Sequence, residues 1–321
     1  MNGLGSVKVF TTNAGRPLAE KICGFLSIEL GEVRVARFND GEVDVQLKED
    51  VRGHDVFIIA PTHTPAENLI EAIHLAEAAR FSSAGRVTYV IPYFGSGRSD
   101  RKDAPRKPIG AVLAIRMLEC AQPDRFIFLD MHAEQTIGSI LKAIPDHLYG
   151  SAVAEGVLGS IVKGRDFVIA SPDKGGVPRA EKYAGLLGQD DVVVFSKSRS
   201  KPGEVKKSSV KIIGDVENKD VIFVDDIIDT AGTIVADAAA AREAGATDIY
   251  VFATHAVLSK DALKIMNESP ISRIYVTDSI HHDLEMLKRK CPKLTVISVA
   301  PLLARAIRRT HDGESLSKLI R

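Results

Sequence analysis

Asp225 and Asp226 stand side by side after the apolar run 221–224, and Asp229-Thr230-Ala231-Gly232-Thr233 follows at once, opening an alanine-rich stretch. Paired carboxylates at the end of a buried strand can accept from hydroxyls or face a divalent cation. A small-residue turn that starts a helix offers backbone N–H groups and a positive helix end to a phosphate. Together they suit a ligand with hydroxyls at one end and a phosphate at the other, as in a sugar phosphate. The same residues are also compatible with an ordinary strand-to-helix turn in which Asp serves as the cap.

Four further clusters have chemical potential. Residues 93–102 with Arg106 and Lys107 bring together five positive charges, from Arg98, Arg101, Lys102, Arg106 and Lys107, and two glycines, Gly95 and Gly97. That composition suits a polyphosphate site or a solvated loop. Phe38 precedes Asp40-Gly41-Glu42, where an aromatic face could stack on a base and the carboxylates could accept from its amino group; Asp-Gly is equally a hairpin turn. His132 follows the strand pattern 125–130 and could ligate a metal, contact a phosphate or cap a turn. The basic, nearly apolar-free segment 196–207 contains Lys197 and Arg199, which could reach anionic oxygens if the segment closes over a substrate, or could simply be exposed.

These clusters need elements to hold them. Apolar runs predict strands over 7–11, 55–60, 86–93, 125–130, 167–171, 192–195, 221–224, 249–253 and 273–277, and alternation around Asp40-Gly41 predicts a hairpin. Helical spacing predicts helices over 16–30 (with Leu18, Ile22, Phe25 and Leu26 on one side), 68–80, 110–121, 152–161, from Val177, 235–241 and 301–307. Helix and strand in alternation predict parallel sheets with right-handed crossovers, and the pattern restarts near Gly150. The expected fold class is therefore α/β, in two similarly built domains of about five strands each.

With 321 residues, 45% hydrophobic and 26% charged, the chain can bury two full cores. Its 42 basic and 42 acidic residues cancel, which argues against nucleic acid as a partner and makes any phosphate site a local one. The first ten residues lack the apolar core of a signal peptide and no run has the length of a membrane span, so the expected location is cytoplasmic, with no membrane partner. Cys23, Cys120 and Cys291 form no Cys-x-x-Cys pair and read as small apolar fillers.

Taken jointly, the motifs resemble the ribose-phosphate pyrophosphokinase family nearly end to end. They are residues 38–42, 91–101, 130–135, 171–176 and 224–233. The Asp-Asp-x-x-Asp-Thr-x-Gly-Thr signature is shared with phosphoribosyltransferases; the other motifs and the basic segment separate the two groups. The resemblance implies two phosphoribosyltransferase-like domains, residues 1–149 and 150–301, with a C-terminal helix over 302–321 packing on the first. It implies transfer of the pyrophosphoryl group of ATP to the C1 hydroxyl of ribose 5-phosphate, with Mg2+ as cofactor. Asp225 and Asp226 would hold the ribose hydroxyls, and Asp229, Thr230, Ala231, Gly232 and Thr233 the 5-phosphate. Phe38, Asp40 and Glu42 would contact adenine, and Arg98, Ser99 and Asp100 belong to the ATP site. His132 and Asp173 would lie at the magnesium-bound phosphates, and Lys197, Arg199 and His132 would be catalytic. The partners implied are ATP, ribose 5-phosphate and further copies of the chain, in dimers that combine into a hexamer.

Several positions depart from the family's common pattern: Ser99 where Gln is usual, Met131 where Leu is usual, Lys174 where an apolar residue is common, and Ala231 where Gly is common. Ala231 can keep the phosphate turn only if that backbone position does not need a positive φ. Arg52, Arg80, Lys102, Arg106, Ser315 and Ser317 could build a regulatory phosphate site, although 102–109 differs from the usual stretch. The alternative functions are a catalytically silent regulatory relative and a phosphoribosyltransferase.

Overall fold

The computed structural model describes residues 3–197 and 210–319, the side chain of Lys197 excepted. The chain divides into two units, one of residues 1–149, 279–281 and 298–321, the other of residues 150–278 and 282–297.

In the first unit, strands β1 (Val7–Thr11), β4 (Asp55–Ile59), β5 (Arg86–Ile91), β6 (Arg125–Leu129) and β7 (Ile144–Leu148) form a parallel sheet in that order. Strands β2 (Val33–Arg37) and β3 (Val43–Leu47) make a separate antiparallel hairpin. The helices are α1 (Arg16–Leu26), α2 (Glu67–Phe81), α3 (Gly110–Glu119) and, from the far end of the chain, α9 (Ala300–His311). All five residues of β4 are buried, as a strand covered on both faces requires. One face packs Phe10, Val56, Ile58, Tyr89 and Phe126 against Ala72, Leu75 and Ala76 of α2 and Ile115 and Leu118 of α3. Each of the Val, Ile, Leu and Phe side chains among them contributes about 1.5–3 kcal/mol on burial.

Helix α9 is fastened by charge as well as apolar surface. Buried Asp55 receives Arg86 in a two-pronged pair at 2.8 and 2.5 Å and also meets His311 Nδ1 at 2.8 Å, while Arg308 donates to the Leu26 carbonyl. Helix α1 ends earlier than its spacing predicted. Ser27 adopts a left-handed conformation (φ 58°) and stops the helix after Leu26. Phe25, expected beside Leu18 and Ile22, is instead 58% exposed.

The second unit holds a seven-stranded sheet rather than about five strands, in the order β10 (Val210–Ile213), β9 (Val192–Lys197), β8 (Phe167–Ser171), β11 (Asp220–Ile228), β12 (Ile249–Ala256), β13 (Arg273–Thr277), β14 (Leu294–Ile297). Only β10 is antiparallel, paired with β9. Helices α4 (Ser151–Val162), α5 (Val177–Leu186), α6 (Gly232–Glu243), α7 (Ala262–Glu268) and α8 (Leu284–Lys290) complete it. Alternation along β11 divides the core: Val221 and Phe223 pack with Ile234 and Ala238 of α6, whereas Ile222 and Val224 pack with Ala180 and Tyr183 of α5. β14 went unpredicted because Leu294-Thr295-Val296-Ile297 is too short to declare its period, and β7 because Pro145 and Asp146 interrupt its apolar pattern.

Among the described residues no helix is long and apolar enough to cross a membrane. Cys23 and Cys291 are buried, but Cys120 is exposed at the end of α3 and so is no core filler.

Candidate functional site

In the second unit the chain leaves β8 toward β9 on one side, while β11 leads to β12, β13 and β14 on the other. The crevice beyond the carboxyl ends of β8 and β11 is therefore a topological switch point, the place where open α/β sheets bind ligands. Both acidic turns of the sequence open there: 171–176 after β8, and 225–233 at the end of β11.

Asp225 and Asp226 do not follow the strand, as the apolar run suggested, but lie inside it, since β11 continues to Ile228 by pairing with β12. Their side chains are 30% and 5% exposed. Arg179 of α5 places Nη1 at 3.5 Å from Asp225 Oδ1 and 3.3 Å from Asp226 Oδ1. Burial and the neighbouring Asp226 charge push the Asp225 carboxyl well above the ordinary carboxylate range, against the opposing pull of Arg179. A carboxylate in that state gains from any ligand that supplies hydroxyl donors or a cation.

Beyond the strand, Asp229 accepts from Ser259, and both the Val257 and Leu258 amides donate to the Ile228 carbonyl, so the loop after β12 holds the turn after β11. Thr230, Gly232 and Thr233 are exposed. Ala231, the N-cap of α6, gives no side-chain cap, and the first turn of the helix carries no acidic residue. An anion here would meet backbone N–H groups and the positive end of the helix without a competing carboxylate in that turn.

Ala231 does not meet the condition set for it: it sits at φ 61°, ψ 0°, in the left-handed region, and the turn forms with the alanine there. A residue with a Cβ pays about 1–2 kcal/mol there, offset in part by the lower unfolded-state entropy of Ala relative to Gly, about 0.4–1 kcal/mol. Ala231→Gly should therefore stabilise the protein by about 0.5–1 kcal/mol. Urea unfolding is the measurement; a midpoint shifted downward would show that the loop is not strained.

Asp173 is exposed in the neighbouring turn; its Oδ1 accepts from the Gly176 amide at 2.8 Å, and Ser171 donates to its carbonyl at 2.7 Å. Lys197 ends β9, and Arg199 lies outside the described residues.

In the first unit, the segment after β5 approaches the preceding loop so closely that a Cβ on Gly95 would lie 1.9 Å from the Thr62 carbonyl oxygen, so only glycine fits. Arg98 is exposed. Ser99 accepts from the Gly110 amide at 3.1 Å, and its carbonyl accepts from Ala111 at 3.0 Å, which closes the basic loop at its base. Gln135 Nε2 reaches Asp100 Oδ2 at 3.4 Å, and a Cβ on Gly97 would lie 3.8 Å from that of His132. The structure thus brings the 95–100 and 130–135 motifs together. His132 is exposed on its turn.

The hairpin is anchored differently. Gly41, at φ 94°, makes the turn; Phe38 and Glu42 bond across it at 2.9 Å, and Asp40 accepts from the Glu42 amide at 3.1 Å. Phe38 is left 55% exposed beside the turn, so its ring face is open to a planar ligand. Its neighbour Arg37 donates to Glu71 of α2 at 2.7 Å; Glu71, 1% exposed, also accepts from the Asn13 amide. Sequence reasoning missed Arg179, Ser259 and Glu71, because each acts through a partner far away in the chain. Of the regulatory candidates, Ser315 and Ser317 line an open cavity of about 570 Å³ with Arg86, Arg125 and Thr310. Arg52 reaches Ser83, and Arg80 pairs with Asp124.

No group of three or more His, Cys, Asp or Glu side chains able to hold a metal occurs among the described residues. The exposed Asp173 carboxylate would offer Mg2+ one oxygen beside phosphate oxygens and water, and the ion commonly sits beside nucleotides with one or two protein ligands.

Residues 7–121 match the family described as the N-terminal domain of ribose phosphate pyrophosphokinase, and residues 174–321 match the phosphoribosyl synthetase-associated domain. The ribose-phosphate pyrophosphokinase of Porphyromonas gingivalis is 41% identical over 99% of this chain and 99% of its own length. That of Campylobacter jejuni is 43% identical over 97% of this chain and 98% of its own. The crystal structure of phosphoribosylpyrophosphate synthetase from Mycobacterium smegmatis superposes with a TM-score of 0.89 at 32% identity, covering 96% of this chain and all of that one.

Proposed function

The chain belongs to the ribose-phosphate pyrophosphokinase family, and from that premise we propose how its own residues divide the work. The protein is a ribose-phosphate diphosphokinase: it transfers the pyrophosphoryl group of ATP to the C1 hydroxyl of ribose 5-phosphate, giving 5-phosphoribosyl 1-pyrophosphate and AMP.

The observation that carries the residue assignment is the pairing, at one switch point, of the Asp225/Asp226 carboxylates with a helix start whose N-cap residue, Ala231, supplies no side-chain cap. Asp225 and Asp226 accept from the ribose hydroxyls. The backbone and hydroxyls of Asp229, Thr230, Ala231, Gly232 and Thr233 hold the 5-phosphate, with the α6 dipole behind them. Phe38 stacks on adenine while Asp40 and Glu42 accept from its amino group. Arg98, Ser99 and Asp100 hold the remainder of ATP. Lys197 and Arg199 stabilise the moving pyrophosphoryl group. His132 and Asp173 are the residues that would hold Mg2+ on the phosphates, and the ion supplies charge neutralisation of the group in flight. Little covalent chemistry falls to the protein, so positioning and fixed positive charge carry the rate.

Unit 1 with its appended α9 serves as the nucleotide domain and unit 2 as the acceptor domain. The assembly in this reading is a dimer-based homo-oligomer, a hexamer, which light scattering of the pure protein would test.

The decisive experiment is to incubate the protein with ATP, Mg2+ and ribose 5-phosphate. AMP and 5-phosphoribosyl 1-pyrophosphate should accumulate in equal amounts. Absence of both would leave a silent regulatory relative as the better description; ADP in place of AMP would mean that a single phosphoryl group moves. Running the assay with and without inorganic phosphate reports whether activity depends on it.

A further inference from the structure

The turn that carries His132 is gripped on both sides by β7 and the residue that follows it. Asp130 is held at φ 45°, with its amide donating to the Leu148 carbonyl at 2.8 Å. One residue on, the Met131 amide donates to His147 Nε2 at 2.9 Å, inside the protein. A ring nitrogen that accepts from an amide carries no proton, so the neutral ring has its hydrogen on Nδ1. That nitrogen stands 3.3 Å from Glu134 Oε1, close enough for electrostatic attraction though outside hydrogen-bond geometry. The same Glu134 oxygen accepts from the Tyr149 hydroxyl at 2.5 Å, and the Tyr149 ring meets His147 edge-on at 4.5 Å. His147, 9% exposed, and Tyr149 are two residues apart and project to the same side, as strand alternation requires.

We propose that His147 is a positioning residue for the reaction: it holds the Met131 amide directly and packs against Tyr149, which holds the Glu134 carboxylate, and the two so fix where the exposed His132 imidazole stands. The inference rests on the functional reading above, in which His132 meets the phosphates. Residues 130–133, between the end of β6 and the short 3-10 helix Glu134–Ser139, make no regular backbone ladder of their own, and a buried side chain on the adjacent strand can fix their position more closely than the turn alone. Gln135, at the end of the same turn, reaches Asp100, so a displaced turn would also disturb the nucleotide segment.

Three variants of the full chain test this, each assayed well below its melting temperature. His147→Leu removes the acceptor and should lower kcat by about 100-fold, the cost of an ångström-scale misplacement. KM for ribose 5-phosphate should stay within about twofold, because that ligand is bound by the other unit. His147→Gln, whose amide oxygen reaches about as far as Nε2, should recover kcat to within about fivefold of the natural protein. Tyr149→Phe loosens only the Glu134 side and should lower kcat by about threefold or more. Amide hydrogen exchange over residues 130–135 should rise in the leucine variant and not in the glutamine one.

Wild-type kcat in His147→Leu, or a glutamine variant as impaired as the leucine one with an unchanged melting curve, would overturn the proposal. If the leucine variant does not fold, Tyr149→Phe decides: an unaltered kcat overturns it. A natural protein that forms no AMP and 5-phosphoribosyl 1-pyrophosphate would overturn the functional reading and this inference together. Activity with faulty His147 results strikes the inference alone.

Discussion

Replacing Arg199 by alanine lowers turnover by about 100-fold or more, the loss seen when a single donor to a transition state is removed. The transferred pyrophosphoryl group bears several negative charges, and these spread onto its outer oxygens as the bond to the departing AMP lengthens. A guanidinium offers a planar fork of donors to such oxygens, and it remains charged at any working pH. Its contribution is largest when the charge is in transit, so kcat should fall and KM for ribose 5-phosphate should change little. Arg199→Lys keeps the charge and loses the fork, and it should fall between the two. Initial rates of AMP release at saturating substrates measure the effect. Near-normal turnover in Arg199→Ala would remove the basic segment from the catalytic machinery.

Asp225→Asn should separate function from stability. The variant loses a charged acceptor for a ribose hydroxyl, and a hydrogen bond to a charged group is worth about 1.5–3 kcal/mol, so kcat/KM for ribose 5-phosphate should fall by about 10- to 100-fold. The folded protein should at the same time become more stable at neutral pH. Asp225 titrates above its ordinary value because burial and the Asp226 charge disfavour its ionised form. In the unfolded chain it titrates near the usual carboxylate value of about 3.9. Between those two values the native state holds a proton that the unfolded chain has lost. The contribution to stability is therefore fully present below the unfolded value and is lost as pH rises through the folded one. Asparagine carries no such charge, so the gain is absent in acid, grows as pH rises through that window and is complete above it. A rise in melting temperature at neutral pH that disappears in acid is expected. An equal shift at all pH values would mean that the gain has another cause.

Much of this site was legible before any fold was known. Asp225, Asp226 and the small-residue turn suggested a phosphate next to hydroxyls because carboxylates, glycine and threonine carry that chemistry in their covalent structure, and the four apolar residues before them suited the buried strand that β11 forms. The hairpin at Asp40-Gly41 was equally plain, since Asp-Gly between alternating residues leaves few other choices. Where the spacing misled, a local backbone choice had intervened. Ser27 turned left-handed and ended α1, leaving Phe25 outside. β12 offered hydrogen bonds as far as Ile228 and drew the two carboxylates into the strand. Ala231 accepted a conformation in which glycine is usual, because the strand before it and the helix after it fix the path of the chain between them.

The sequence by itself determined the chemistry: which groups can accept, donate or carry charge, and that two α/β units bear them. Only the tertiary structure decided their company. Arg179 meets both Asp225 and Asp226 because α5 returns across the sheet, 46 residues before Asp225 in the chain. Ser259 steadies Asp229 from 30 residues later, and Glu71 supports Arg37 from 34. His147 takes the Met131 amide because β7 pairs with β6 in one particular register. Such pairings follow from strand order and crossover path, which depend on the packing of whole elements, so short-range patterns of residue type carry no trace of them.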